Sequence, residues 1–245
     1  MSRKYRAEAL WWDAIDKGNL DLFYDIIGSM KEEGRLNELD IEDMQRVLQH
    51  WNERWNDHDL HYDFDKERKC IDEVYSAVKC LIDNGVSMKD TNMISFCMCE
   101  CKYASIKLLE LLYQNGADID KNFAGQPGIT RACYGENASL RAIQFFLDKN
   151  ADVNAVNHFT KENALMYFCR KYFPDEGQYY YEKIAKRLIA KTSNLNAVNK
   201  YGETATSILK KRANKEGEAP RVVGNCEWLI NEISREQNRR DGISK

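Results

Sequence analysis

The sequence is poor in the residues that break regular structure. Proline occurs 3 times and glycine 13 times in 245 residues. That scarcity argues against a sandwich of many short strands and tight turns, and for helices. There is no surplus of positive charge: 36 basic against 39 acidic side chains leave a net charge of −3, so no global basic field points to nucleic acid. No apolar run reaches the length that spans a bilayer. The opening residues Met1 to Arg6 are basic but no apolar stretch follows them, so no secretory signal is expected and a cytoplasmic location follows. Phosphate-cradling glycine loops, a nucleophile elbow and a His-Glu-x-x-His pair are all missing, and the chain is not expected to be an enzyme or to hold a cofactor.

What is present is an ordinary globular balance, 43% hydrophobic and 31% charged, too apolar for wholesale disorder. The eight cysteines, without a secretory signal, read as reduced thiols that pack as small hydrophobes. Cys97, Cys99 and Cys101 stand two apart. On a helix such neighbours point about 200° apart, so the three cannot converge tetrahedrally on a zinc ion. No metal site is expected there.

One phrase recurs. It reads Asn84-Gly85-Val86-Ser87, Asn115-Gly116-Ala117-Asp118, Asn150-Ala151-Asp152-Val153 and Thr192-Ser193-Asn194-Leu195, at intervals of 31, 34 and 42 residues measured between Val86, Ala117, Ala151 and Ser193. Helical stripes precede the last three: Leu108, Leu109 and Leu112; Leu140, Ile143, Phe146 and Leu147; Ile184, Leu188 and Ile189. The spacing is that of one buried helix face. The Asn-Gly and Asn-Ala steps then end each helix, because Gly and Asn tolerate the left-handed C′ position. The last interval is stretched by the insert Tyr172 to Tyr181.

The strings QNGADID (114–120) and KNADVNAVN (149–157) resemble the junctions of the ankyrin-repeat family, whose period is about 33 residues. Ala138-Ser139-Leu140-Arg141 and Gly18-Asn19-Leu20-Asp21 resemble the opening of the family's second helix, and Asn199-Lys200-Tyr201-Gly202 its hairpin. The family's Thr-Pro-Leu-His tetrapeptide is nowhere intact; Gln126-Pro127-Gly128-Ile129 and Glu162-Asn163-Ala164-Leu165 stand in its place. Losing its Thr and His implies fewer bonds between repeats and modest stability.

The resemblance implies an all-α ankyrin-repeat solenoid of five to six helix-loop-helix units in a single domain over residues 1–245. Irregular repeats occupy 1–83, the clearest ones 84–213, a C-terminal cap 214–236 and a frayed polar tail 237–245. The helix pairs expected are 7–17 with 20–31, 41–55 with 69–83, 93–102 with 104–114, 128–134 with 139–148, 162–171 with 180–190, and 204–213 with 222–236.

It also implies a non-catalytic module that binds another protein, to sequester, inhibit or scaffold it, such as an immunity or inhibitor protein or a host-directed effector. No membrane or nucleic-acid partner is expected. Family members contact partners through hairpin tips and the exposed side of the first helix of each pair; the tips here carry Phe123, His158, Phe159, Lys200 and Tyr201. Such rings either anchor a partner or fold down on the next repeat; the sequence leaves both open. A second candidate patch is the insert with Tyr172, Phe173 and Tyr179. A third is the acidic aromatic loop 50–65, with Tyr62 and Phe64, where eight carboxylates between Asp40 and Asp65 face two arginines. The competing reading is an enzyme or metal-dependent protein in which Asp57, His58, His61 and Cys97 converge in one cleft.

Overall fold

A computed structural model describes residues 3–53, 64–101, 104–135, 138–171 and 177–242. The described residues are all-α, with twelve helices and one short 3-10 turn, Leu36–Glu38. They fall into two compact units, Met1–Asp118 and Ile119–Lys245.

In the first unit the helices are α1 (Arg3–Asp16), α2 (Leu20–Glu32), α3 (Ile41–Glu53), α4 (Phe64–Asp83), α5 (Met93–Glu100) and α6 (Ile106–Gln114). Consecutive helices pack as pairs: α1 on α2, α3 on α4, α5 on α6. First helices stack on first helices, α1 on α3 on α5, and second on second, α2 on α4 on α6. The second unit repeats this scheme with α7 (Gly128–Tyr134), α8 (Leu140–Asp148), α9 (Ala164–Arg170), α10 (Gln178–Lys191), α11 (Ala205–Ala213) and α12 (Pro220–Arg240). The pairs are α7–α8, α9–α10 and α11–α12; α7, α9 and α11 form one layer, and α8, α10 and α12 the other. Each unit therefore holds three helix-loop-helix repeats, the arrangement that the ankyrin resemblance implies.

The recurrent phrase ends helices as its composition requires. Gly85, Gly116 and Asn150 all have positive φ, at 107°, 96° and 58°. Val86 N–H then donates back to the Leu81 carbonyl, Ala117 N–H to Leu112 and Ala151 N–H to Phe146, at 3.0–3.1 Å. This is the Schellman closure, which satisfies carbonyls left orphaned at a helix end. The fourth phrase departs from it. Thr192 stays at φ −72°, and its buried hydroxyl donates to the Leu188 carbonyl at 2.8 Å. At the other ends, Asn19, Ser105, Ser139, Asn163 and Thr204 accept backbone N–H bonds as N-caps.

Two sequence expectations need correction. Helix α4 starts at Phe64, earlier than residue 69. The tail does not fray before Arg240. Helix α12 runs to that residue, whose guanidinium donates to the carbonyls of Ile189, Ala190, Thr192 and Ser193 at the end of α10, at 2.7–3.2 Å. A cation there complements both the orphan carbonyls and the helix dipole. All eight cysteines are free thiols. Cys97 and Cys101 are buried, and a hydrogen bond to Cys101 together with burial pushes the Cys97 thiol well above its ordinary range.

Candidate functional site

The second unit carries three hairpin fingers, one before each of its layer-forming first helices. The first is a two-residue turn. Phe123 and Gln126 exchange backbone bonds of 3.1 and 2.9 Å, with Ala124 and Gly125 both at positive φ, the geometry of a type I′ hairpin. The second runs from Asn157 to Glu162, closed by Asn157 N–H to the Glu162 carbonyl at 2.9 Å and by Lys161 N–H to the Asn157 carbonyl at 2.8 Å. The third runs from Asn199 to Glu203, closed by Asn199 N–H to the Glu203 carbonyl at 3.0 Å.

The asparagines are the organising residues. Asn157 Oδ1 accepts from the N–H groups of Phe159 and Thr160 at 2.8 and 3.1 Å. Asn199 Oδ1 accepts from Tyr201 and Glu203, both at 2.9 Å. Short amide side chains bond their own backbone two to four residues on, which fixes a turn without help from packing. The fingers are also tied to each other. His158 N–H donates to the Gly125 carbonyl at 2.8 Å, and Lys200 N–H to the Thr160 carbonyl at 3.0 Å. Gly125 permits this closeness: a Cβ there would lie 2.8 Å from the His158 Cβ.

The rings at these tips are placed differently. Phe159 and Tyr201 point outward, 58% and 65% exposed, joined by Val156 at 46% and Val198 at 59%. Phe123 is half-buried. His158 is exposed and meets the edge of Phe159 at 5.6 Å, and the Lys200 ammonium sits 5.1 Å from the Tyr201 ring centre. Tyr179 stands apart on the first turn of α10, 82% exposed. Tyr172, Phe173 and Tyr62 lie outside the described residues, as do Asp57, His58 and His61; Phe64 begins α4 but its side chain is not described. The second and third candidate patches are therefore represented by Tyr179 alone. Among the described residues no group of three or more His, Cys, Asp or Glu side chains is placed to hold a metal.

Beside the fingers lies a groove of about 420 Å³ that sequence reasoning did not anticipate. Its floor comes from α7 and α9 through Arg131, Tyr134, Tyr167 and Arg170, and its finger wall from Thr160 and Tyr201. The Tyr134 and Tyr167 rings are 5.7 Å apart, and the Tyr167 hydroxyl is 2.9 Å from Thr160 Oγ1. The signal was there in reciprocal form, Arg131-x-x-Tyr134 in one repeat and Tyr167-x-x-Arg170 in the next. A three-residue step on a helix puts both members of each pair on one face.

Under the groove is a charged network. Buried Glu162 accepts from Arg170 Nε at 2.9 Å and from Asn199 Nδ2 at 2.8 Å. Glu203 accepts from Lys211, from Asn199 and from Arg170. Those three donors, Lys211 foremost, hold the Glu203 carboxyl down at about 2 instead of its ordinary 4.5. Where the family tetrapeptide would stand, Asn163 caps α9 and Glu162 bonds into the next repeat.

No family model matches the chain, and no curated protein matches it. It is similar to the crystal structure of the ankyrin repeat domain of Bcl-3, described as a unique member of the IkappaB protein family. The identity is 16%, over 91% of this chain and 97% of that chain, with a TM-score of 0.49. A likeness at that level carries no residue role across. Among the described residues no helix is long and apolar enough to cross a membrane.

Proposed function

We propose that the chain is a non-catalytic interaction module, a single ankyrin-type array, that binds one partner protein along the finger edge of residues 119–245. The observation that carries this is the outward row Val156, Phe159, Val198 and Tyr201 on turns held rigid by Asn157 and Asn199. These four side chains are largely exposed, on or beside neighbouring tips that are bonded to each other. Rigid aromatic anchors give contact area at low entropy cost, which is the composition of interface hot spots. A module of this kind acts by occupancy: it sequesters, inhibits or scaffolds what it binds, as an immunity protein, inhibitor or host-directed effector does. A cytoplasmic setting suits its eight free thiols.

The enzyme or metal-dependent reading is less well supported. It needs a reactive Cys97, whereas that thiol is buried and pushed toward its neutral form.

The test is binding by the immobilised full chain and by its Phe159→Ala/Tyr201→Ala variant. Both rings are exposed, so the variant should unfold at the same temperature as the parent. Its affinity for the captured partner should fall about 100-fold or more, the scale of losing two interface anchors. Unchanged affinity would show that the finger edge is not the binding surface.

A further inference from the structure

The groove beside the fingers contains one arginine that pairs with no carboxylate among the described residues. Arg170 pairs with both Glu162 and Glu203, and Glu203 also pairs with Lys211. Those two acids and two bases balance. Lys171, outside the groove lining, donates to the carbonyls of Gly135 and Ala138. Arg131 lines the groove, and its buried Nε has no hydrogen-bond partner. No ion pair joins it to any described carboxylate.

The guanidinium lies close to the chain's own backbone. It lies over Gly135, where a Cβ would come within 3.0 Å of Nε and 3.2 Å of Cζ. The ring of Tyr134 stands three residues along the same face, against Tyr167. With Nε buried, the two terminal nitrogens remain; they bond to no other described residue, and the planar end of a guanidinium can take an oxyanion in two parallel bonds.

We propose that Arg131 receives an aspartate or glutamate side chain from an acidic segment of the partner protein, with the segment's apolar neighbours covering Phe159 and Tyr201. This rests on the interaction reading above and names the partner's chemistry. Charge decides between anions. One unpaired arginine matches one carboxylate, whereas a phosphate ester carries nearly two charges and the groove's other arginine is already neutralised twice.

The test uses the full chain and a fluorescein-labelled hexaglutamate peptide, followed by anisotropy at low salt, with hexaglutamine as the neutral control. Hexaglutamate should bind the parent, hexaglutamine should not, and Arg131→Gln should weaken hexaglutamate binding about 10–100-fold, the range for removing a charge-assisted bond. Arg131→Lys, which keeps the charge but loses the fork, should recover only part of that loss. Equal binding by the parent and Arg131→Gln overturns the proposal, as does an absence of hexaglutamate binding at millimolar concentration. Inorganic phosphate displacing the peptide more effectively than free glutamate overturns the choice of carboxylate. Capture of a partner that depends on Phe159 and Tyr201 but not on Arg131 would sink this inference and leave the interaction reading standing. Capture that depends on neither would sink both.

Discussion

Phe168→Ala is expected to destabilise the Ile119–Lys245 unit by about 3–5 kcal/mol, the range for truncating a buried phenylalanine. Phe168 is fully buried on α9, and its ring stacks on Tyr181 of α10 at 5.0 Å. Tyr181 in turn meets Trp228 of α12 at 6.3 Å. Phe168 therefore meets α10 directly and α12 only through Tyr181. Its loss leaves a cavity at that junction and removes an aromatic stack worth about 1 kcal/mol beyond burial. Chemical denaturation should show the full drop in stability. Thermal unfolding should shift down by about 10–20 °C for a unit of this size. A drop under about 1 kcal/mol would mean that the repeats do not share this core.

The second large effect concerns the acid-base network beneath the groove. Glu162→Ala should destabilise the unit by about 2–4 kcal/mol, because removing one member of a buried pair leaves the other's donors unanswered. The value belongs at the lower end of that class, since Arg170 retains Glu203. Glu162→Gln should lose less, because the amide oxygen can still accept from Arg170 and Asn199. A pH dependence follows from Glu203. Its folded pKa, about 2, lies below its ordinary 4.5, so its contribution is fully present above pH 4.5 and disappears as pH falls through about 2. The stability difference between the parent and Glu203→Gln should therefore be largest near neutral pH and shrink toward zero at about pH 2. A difference that stays constant across that range would show that the carboxylate's charge does not stabilise the fold.

Much of the fold was legible because it is local. The left-handed Gly85, Gly116 and Asn150 stand at the helix ends that the phrase marked, and stripes such as Leu140, Ile143 and Phe146 are buried. What escaped depends on partners distant in sequence. Arg240 keeps α12 helical by reaching carbonyls about fifty residues away, which no local pattern encodes. Glu162, in the place of a Thr, looked like a lost bond; its acceptor role depends on Asn199, 37 residues on.

The site divides in the same way. Aromatic side chains on the tips were visible as residue types, but their exposure depends on finger-to-finger bonds such as His158 N–H to Gly125. Phe123, equivalent in sequence, is half-buried, while Phe159 and Tyr201 are not. The groove needs Arg131 and Tyr134 from one repeat and Tyr167 and Arg170 from the next, so it exists only once α7 packs on α9.

The central claim is that the finger edge is where the chain meets its partner. Amide hydrogen exchange of the full chain, free and saturated with the captured partner, tests it most directly. Binding should slow exchange of the amides in segments 157–161 and 199–203 that the partner covers, and leave the helix faces of α8 and α10 as in the free chain. Protection confined to α8 and α10, with both finger segments exchanging at their free rates, would contradict the account.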